Sequence, residues 1–382
     1  MQKGKGHLNE KHGREWSLAA VLILVLGGVV TWASMRGERA AQGGGLSDAT
    51  REKVLAYIRQ RFGVPPTVKL SLGAQHSSAV APSFDEVALI VDDGKKPAMQ
   101  SVLVSKDGRY LIVLRQNGTI ELHQKSPAEM AQRIQEAMKV PVNLKVSVGG
   151  FKHSLSPDFE AGTVSVEGGP SKQELPVLLT RDGKYLLVDE IYSLGVDLRE
   201  QALRTISLRD EPSQGPADAP VTIVEYADLE CPTCARVHEF LETQLLPRYG
   251  YKVRIIFKEY PLPFHDWSMT AAIACQCAYQ INPASFVPLR TAIFRNQQLI
   301  NITNVRDTVL SYGEQAGLDR VKLAGCVDSK ASLPRIQRDQ AEAKRLGVNQ
   351  TPTLYINGRM IIGLPSEDAY FQMIDEILRE GK

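Results

Sequence analysis

The sequence predicts a mixed α/β protein built from several units behind one apolar N-terminal segment. Three observations carry this prediction: an uncharged run near the N-terminus, a pattern of about 75 residues that occurs twice, and a C-terminal stretch in which a buried strand leads into two cysteines and a helix. The 382 residues suffice for two or three domains of ordinary size.

The composition is that of a globular protein, with 43% hydrophobic and 23% charged residues and a net charge of +2. A nucleic-acid binder would normally concentrate basic residues on one surface. Neither the small net charge nor the even distribution of charge indicates such a surface. We therefore expect no nucleic-acid partner.

Residues 16–35 are uncharged and include the run SLAAVLILVLGGVVTWASM. About twenty apolar residues span a bilayer as a helix, and Trp16 and Trp32 lie near the two ends, where aromatic residues favour the interface. We expect an uncleaved transmembrane anchor here. A cleaved signal peptide is the main alternative, although its apolar core would be shorter and end in a small-residue cleavage site. A buried helix of a soluble protein is the other alternative.

The charges around this segment predict its orientation. Basic residues at the membrane favour the cytoplasmic side, and the first fifteen residues carry Lys3, Lys5, Lys11 and Arg14. We therefore expect a cytoplasmic N-terminus at 1–15, a glycine-rich linker at 36–46, and the rest of the chain outside the cytoplasm, in the periplasm.

Two copies of one pattern follow the linker. VPPTVKLSLG begins at Val64 and VPVNLKVSVG begins at Val140. Thirty residues from Phe84 align without a gap with thirty residues from Phe159. The match predicts an internal duplication, with the first repeat at 47–125 and the second at 126–206.

Each repeat reads as one helix on a small antiparallel sheet. Ser47 and Ser126 are expected N-caps of the two helices. Alternating apolar residues predict strands, and an Asp-Gly pair at 107–108 and another at 182–183 predict tight hairpins. The repeats have no cysteine, and we expect their three isolated histidines, His76, His123 and His153, to be solvated. We therefore expect the repeats to have a binding or spacing role and not a catalytic one.

The segment LLTRDGKYLLVDEIYSLGVD at 178–197 resembles the N-terminal dimerisation module of the DsbC and DsbG disulfide isomerases. This resemblance implies that the repeats could form a homodimer. It rests on one predicted hairpin and the chain that follows it.

The remaining residues, 207–382, change in character. Pro, Asp and Ser dominate the start, which reads as a linker. The patterns then predict a strand, a helix, a second strand, a long helical stretch, a hairpin and a closing helix, at 220–230, 231–250, 251–263, 265–345, 351–363 and 366–380.

The sequence CPTC places Cys231 at the start of a predicted helix, after a buried strand. Unpaired amide groups and the helix dipole stabilise a thiolate there, so Cys231 is the candidate nucleophile. Cys234, one turn further on, would resolve the mixed disulfide. A structural zinc site would need more ligands at suitable spacing, and an inert disulfide is the other alternative. We expect no metal and no cofactor.

Five motifs taken in order, VEYADLECPTC, PLPFHDW, AAIACQCAYQ, LAGCVDS and GVNQTPTLYING, resemble the DsbA-like branch of the thioredoxin superfamily. The resemblance implies a thioredoxin-like fold with a helical insertion. It also implies that Cys231 and Cys234 are the redox pair and that Pro352 is a cis-proline facing them. The Thr351 backbone would then pair with an extended substrate, and Glu225 would be a buried carboxylate that relays a proton to or from Cys234. An exposed strand glutamate is the alternative for Glu225.

Two departures leave the direction of electron flow open. Thr233 stands where the DsbA-like type member has a histidine that helps to stabilise the thiolate, so we expect a milder oxidant. Thr351 precedes the proline, as in the DsbC and DsbG isomerases, whereas the strongest oxidases often have valine.

The resemblance also implies a structural disulfide between Cys277 and Cys326, which an oxidising compartment permits. A Cys275–Cys326 pairing is the main competitor, and two buried thiols are a further alternative. His265 could influence the thiolate or cap a helix, and His238 is expected to be solvated.

These observations predict a membrane-anchored, extracytoplasmic thiol:disulfide oxidoreductase acting on cysteine-containing proteins. A disulfide-forming oxidase is the first choice, and an isomerase or reductase is the second. A membrane redox partner of the DsbB or vitamin K epoxide reductase type follows from the resemblance alone. A membrane-tethered chaperone with merely structural cysteines is the non-catalytic alternative.

Overall fold

The computed structural model describes residues 45–95, 97–168 and 173–381. The expected cytoplasmic segment 1–15, the expected anchor 16–35 and nearly all of the expected linker lie outside these ranges. Across the ranges that are described, we find no helix with the length and apolar character needed to cross a bilayer.

The first repeat folds as one helix and a run of antiparallel strands. Ser47 caps the helix by accepting a hydrogen bond from the Thr50 amide, as predicted. The elements are α1 (Asp48–Arg61), β1 (Lys69–Ser77), β2 (Phe84–Asp92), β3 (Ala98–Ser105), β4 (Tyr110–Val113) and β5 (Thr119–Glu121).

The second repeat has the same order of elements. Ser126 caps its helix by accepting from the Glu129 amide. The elements are α2 (Pro127–Ala137), β6 (Lys145–His153), β7 (Phe159–Glu167), β8 (Gln173–Thr180), β9 (Tyr185–Leu187) and β10 (Ile191–Ser193). The predicted Asp-Gly turns are present, with Gly108 and Gly183 at positive φ, where a β-carbon would be strained.

The two repeats exchange their last strands. One sheet has the order β1-β2-β3-β4-β10 and the other has the order β5-β9-β8-β7-β6. Strand β5 of the first repeat therefore completes the sheet of the second repeat, and β10 of the second completes the sheet of the first. We call residues 45–206 the N-terminal unit.

The C-terminal domain has a mixed sheet of its own, in the order β11-β13-β12-β14-β15. Strands β12 and β13 are parallel, and β14 runs antiparallel to both β12 and β15. Helix α3 (Leu198–Thr205) ends the N-terminal unit, and the elements of the C-terminal domain up to the second long strand are β11 (Ser213–Gln214), β12 (Val221–Ala227), α4 (Pro232–Phe240), α5 (Leu246–Tyr249) and β13 (Val253–Glu259).

A helical insertion separates β13 from β14, as predicted. It comprises α6 (Ser268–Ile281), α7 (Phe286–Arg295), α8 (Val305–Gln315), α9 (Arg320–Asp328) and α10 (Leu333–Arg345). The chain then returns to the sheet and closes with β14 (Thr353–Ile356), β15 (Arg359–Ile362) and α11 (Glu367–Glu380).

A π-helical turn at Leu241–Leu245 joins α4 to α5. Pro247 follows it, and a proline has no amide hydrogen to donate to the residue four positions earlier. A widened turn is one way to accommodate that missing bond. The predicted single helix at 231–250 is therefore continuous in direction but irregular in its middle.

The segment that reads as a linker is packed onto the C-terminal domain. Strand β11 pairs with β13, and Glu211 is buried against Lys258 at 3.3 Å and Arg335 at 3.2 Å. Composition alone predicted a linker here. Buried ion pairs hold it instead.

The N-terminal unit rests on the edge strand β15. The Gln60 side chain donates to the Gly358 carbonyl at 2.7 Å, and Arg199 donates to the Asn357 carbonyl at 3.1 Å. Gly63 lies so close to Ile362 that an added β-carbon would stand 2.8 Å from its side chain. Helices therefore cover this edge of the sheet, which would otherwise expose unpaired backbone groups.

Candidate active site

Cys231 lies at the N-cap of α4, directly after the loop that leaves β12. Pro232 occupies the first helical position, where no amide donor is needed. Cys231 is 8% exposed, whereas Cys234 is fully buried one turn inside the helix. Both thiols are free in the structure.

The two thiols have opposite acidities. The pKa of Cys231 is lowered to about 6, chiefly because the Cys234 thiol donates a hydrogen bond to its sulfur, although partial burial opposes this shift. The backbone amides of Thr233 and Cys234 lower the pKa of Cys231 further. Burial raises the pKa of Cys234 well above its ordinary value. Cys231 therefore holds the thiolate and Cys234 holds the proton.

The residue that precedes Pro352, Thr351, lies next to Cys231. The Thr351–Pro352 peptide bond is cis. When it is protonated, the Cys231 sulfur can donate to the Thr351 carbonyl, which lies 3.5 Å away, and the Pro352 carbonyl accepts from the Gly363 amide at 2.8 Å. The pairing of β14 with β12 begins only at Thr353. Thr351 thus stands beside the redox pair, before the start of the β14 ladder.

Glu225 lies on β12 and is fully buried, close enough to Cys234 for its charge to raise the pKa of that thiol. Arg290, from α7 of the insertion, donates to Glu225 at 2.8 Å and to Glu259 at 3.1 Å. Burial raises the pKa of Glu225, and it raises the pKa of Glu259 to about 8. One buried cation therefore faces two buried carboxyl groups, and one of the two is expected to hold a proton at neutral pH.

Arg290, Glu225 and Glu259, which we call the triad, include two carboxylate oxygens that accept no hydrogen bond from the described residues. Oε1 of Glu225 and Oε2 of Glu259 have no hydrogen-bond partner among the described residues. The burial of Glu225 agrees with the role that the resemblance implied for it. Sequence reasoning did not identify Arg290 or Glu259, because nothing in their local sequence distinguishes them from surface charges.

Asp228 organises the loop in front of the cysteines. Its buried carboxylate accepts hydrogen bonds from the Leu262 amide at 2.7 Å and from the Ser268 hydroxyl at 2.5 Å. It also contacts Nδ1 of His265 at 2.7 Å, while the Asp228 amide donates to the Cys234 sulfur at 3.4 Å. His265 is therefore tied to the redox loop through Asp228.

Gln297, from the helical insertion, also holds the loop in front of the cysteines. Nε2 of Gln297 donates to the carbonyls of Leu229 at 2.7 Å and Cys231 at 3.1 Å. The Glu230 carboxylate accepts from the first amides of α6, at Trp267 and Ser268, as expected for an acid at a helix N-terminus. Sequence reasoning missed Asp228, Glu230 and Gln297. For Glu230 and Asp228, the one available signal was their position next to CPTC.

His238 contradicts the expectation of a solvated side chain. It is buried, its Nε2 lies 2.8 Å from the Thr291 hydroxyl, and its ring lies 5.0 Å from that of Phe294. Burial lowers its pKa to about 3, so it is neutral. The helical insertion covers this face of α4, and a local sequence pattern cannot reveal that cover.

The structure joins Cys277 of α6 to Cys326 of α9 in a disulfide that spans 49 residues of sequence. Cys275 is a buried free thiol, so the competing Cys275–Cys326 pairing is wrong. Closing a loop of this length is worth ~2–4 kcal/mol. Within the described ranges, no group of His, Cys, Asp and Glu residues could hold a metal ion.

The geometry can be set beside known proteins. The sequence model of the family described as Thioredoxin matches residues 207–376. The C-terminal domain is thioredoxin-like. Disulfide bond formation protein D of Bacillus subtilis (strain 168) is 25% identical over 178 residues, which cover 45% of this chain and 79% of that protein. This similarity agrees with the resemblance of the domain's motifs to DsbA-like oxidoreductases.

Other matches are more partial. The Na(+)/H(+) antiporter NhaA of Herminiimonas arsenicoxydans is 32% identical over 150 residues, which are 39% of this chain and 23% of that protein. The chain thus spans about a quarter of the length of the first curated relatives that it matches. The crystal structure of oxidised BdbD from Bacillus subtilis shares 22% identity, with a TM-score of 0.42, over 45% of this chain and 95% of that chain.

Proposed function

We propose that the thioredoxin-like domain catalyses thiol–disulfide exchange with cysteine-containing proteins, and that it acts as a disulfide-forming oxidase. One observation carries the proposal. An acidic thiol at a helix N-terminus, Cys231, lies against a buried thiol of raised pKa, Cys234, and the Cys231 sulfur is 3.5 Å from the Thr351 carbonyl. An attacking and a resolving thiol need these unequal acidities.

In the oxidising direction, the enzyme begins with a Cys231–Cys234 disulfide. A substrate thiolate attacks the Cys231 sulfur, a mixed disulfide forms, and Cys234 leaves and takes up a proton. A second substrate thiolate then attacks the substrate sulfur of the mixed disulfide, and Cys231 leaves as a thiolate. The substrate loses two electrons and gains a disulfide, and the two electrons reside on the enzyme thiols.

The buried triad supplies the proton for Cys234. Glu225 and Glu259 share the Arg290 cation, and the raised pKa of Glu259, about 8, favours its protonated form at neutral pH. The charge of Glu225 also raises the pKa of Cys234, so the two groups are electrostatically coupled. A proton can therefore pass from the triad to the leaving thiolate, and the negative charge then moves from the Cys234 sulfur to the two carboxylates that contact Arg290.

The substrate lies as an extended strand beside Thr351. The β14 ladder starts at Thr353, so the backbone at 351 lies outside it, and the carbonyl of Thr351 is 3.5 Å from the Cys231 sulfur. A peptide that pairs with this backbone would carry its cysteine to the nucleophile. Backbone pairing is largely independent of sequence, which suits an enzyme with varied protein substrates.

The direction of electron flow depends on whether the fold stabilises the reduced or the oxidised form of the enzyme. A thiolate of lowered pKa stabilises the reduced enzyme and makes the disulfide a stronger oxidant. The pKa of Cys231, about 6, nevertheless lies nearer to thioredoxin's ~7 than to DsbA's ~3.5. This observation keeps an isomerase or reductase as the second candidate and agrees with the uncharged Thr233.

The proposed location is outside the cytoplasm. A disulfide between Cys277 and Cys326 is compatible with an oxidising compartment. The apolar segment 16–35 would hold the chain at the membrane as a single-pass anchor. Reoxidation of the enzyme then requires an acceptor for two electrons, and we propose a membrane redox partner of the DsbB or vitamin K epoxide reductase type.

The deciding experiment is a redox titration of the full chain against glutathione, with the Cys231→Ser variant as a control that cannot cycle. A potential near DsbA's ~−120 mV supports the oxidase. A potential near thioredoxin's ~−270 mV would replace it with a reductase. If no reversible titration is found, the catalytic proposals fail, and the non-catalytic binding protein takes their place.

A further inference from the structure

The strand exchange in the N-terminal unit is reciprocal at the level of single hydrogen bonds. The Leu122 amide, at the end of β5, donates to the Lys184 carbonyl at 2.7 Å. The Leu194 amide, at the end of β10, donates to the Arg109 carbonyl at 2.8 Å. Arg109 and Lys184 occupy matching positions in the gap-free alignment of the repeats. Each repeat therefore gives its partner the same bond that it receives.

The seam between the two sheets shows the same symmetry. Phe84 and Phe159 are matching residues, and their rings meet edge to face with centroids 5.6 Å apart. One buried cluster contains them together with two further matched pairs, Leu103 with Leu178 and Ile112 with Leu187. When a residue meets its own counterpart, an approximate two-fold axis passes close by, as in an isologous dimer interface.

The cores are shared in the same way. Ile120 and Leu122 of the first repeat are buried in the core of the second repeat, with Met130 and Ile134. Leu194 of the second repeat is buried in the core of the first repeat, with Ile58. Neither repeat fills its own core without the tail of the other.

We propose that the two repeats form an internal dimer, so that one chain supplies both halves of a two-module base and carries a single thioredoxin-like domain on it. The seam and the exchanged strands are the surfaces through which identical modules in separate chains would associate. Here they are occupied within the chain. This proposal replaces the expectation that the repeats dimerise with a second copy.

One consequence rests on the proposed function. A dimer of single-module chains would place two redox centres on one base, whereas this chain places one. Each particle then exchanges one disulfide at a time with its substrate, which suits an oxidase that is reset by a membrane partner. The architectural proposal itself does not depend on catalysis and is tested in a background without the redox pair.

The test is a cysteine cross-link across the exchanged strands in the full chain, with Cys231→Ser and Cys234→Ser as background. Glu121 of β5 lies directly opposite Tyr185 of β9. Opposed β-carbons in an antiparallel pair are ~4.5–5.5 Å apart, close to the reach of a disulfide. Glu121→Cys combined with Tyr185→Cys is oxidised mildly and analysed without reductant.

The matched control is Lys69→Cys with Asp92→Cys, a pair on β1 and β2 that lies inside one repeat and links internally in either architecture. We expect both variants to give the mass of one chain with an internal link. A covalent dimer from the Glu121–Tyr185 variant alone would show exchange between chains and overturn the proposal, as would the absence of any link there while the control links.

Light scattering of the unmodified full chain in detergent completes the test. We expect one copy per particle. Two copies per particle together with internal links would refute the single-copy base, even though the strands pair as described. A failed redox titration would leave both results unchanged, so the two proposals fail separately.

Discussion

The N-terminal unit and the thioredoxin-like domain differ in where they bury charge. Among the described residues, the N-terminal unit buries the carboxylates of Asp85 and Asp189, and its seam and cores are otherwise apolar or neutral. The thioredoxin-like domain buries a much larger set: Glu211, Glu225, Asp228, Lys258, Glu259, Arg290, Asp339 and Glu342.

Buried charge is costly, so its location is informative. Lys258 is held by three carboxylates, with the nearest, Glu342, at 2.9 Å, and this network ties the first residues of the domain to α10. The Arg290 triad lies under the redox pair instead. The first network therefore fastens the start of the domain to α10, whereas the second lies near the two cysteines and has a proposed role in proton transfer. The N-terminal unit has no buried network of comparable size among the described residues.

The largest expected effect is on catalysis. Cys231→Ser removes the proposed nucleophile, and we expect exchange activity to fall at least about a thousandfold with little change in stability. The measurement is the rate of disulfide formation in a reduced, unfolded protein substrate. Cys275→Ala, which removes a buried thiol outside the mechanism, is the control and should remain active. Equal losses in both variants would contradict the assignment of Cys231.

The second effect separates the two regions by stability. Arg290→Met leaves Glu225 and Glu259 buried without their cation, and we expect a loss of about 3–5 kcal/mol in the free energy of unfolding. The matched change in the N-terminal unit is Arg115→Met, whose partner Asp189 is buried but whose own side chain is 37% exposed. We expect about 1–2 kcal/mol there.

Both losses in the free energy of unfolding are measured by urea unfolding, each from the transition of the region that carries the substitution. If Arg290→Met cost no more than Arg115→Met, buried charge would have no special role in the thioredoxin-like domain.

The third effect depends on pH. The pKa of Cys231 is about 6 in the folded protein against an ordinary value of 9.0. A lowered pKa stabilises the folded reduced form fully above pH 9, and this stabilisation is lost as the pH falls towards 6. We expect the reduced form to gain stability over the oxidised form between pH 6 and 9. Thiolate absorbance near 240 nm measures the titration, and a midpoint above 8 would contradict the lowered pKa.

The smallest effect concerns two helix N-termini. Ser126 caps α2 through its side chain, whereas Cys231 at the N-cap of α4 makes no side-chain capping bond. Ser126→Ala should cost about 1 kcal/mol of stability. Cys231→Ser should cost nothing, because serine is the better cap, and thermal unfolding distinguishes the two. A clear loss of stability in Cys231→Ser would indicate that the thiol also has a structural role.

Much of the fold was predictable because its signals are local. The caps Ser47 and Ser126, the Asp-Gly turns and the strand–CPTC–helix order all depend on neighbouring residues, and each is present. The packing of the segment after Ser207 was not predictable, because Glu211 is fixed by Lys258 and Arg335, which are distant in sequence. The prediction of a solvated His238 was wrong for the same reason, because α7, which is distant in sequence, covers this side chain.

The sequence by itself determined the duplication, the CPTC motif and the choice of a candidate nucleophile, because repeat length, cysteine spacing and helix start depend on residues that are close together in the chain. Only the tertiary structure decided which repeat each final strand joins, which cation lies under the cysteines and which groups hold the redox loop. Strand pairing and buried ion pairs depend on residues that are far apart in sequence. The sequence of a short apolar strand such as β5 or β10 does not indicate which strand it pairs with.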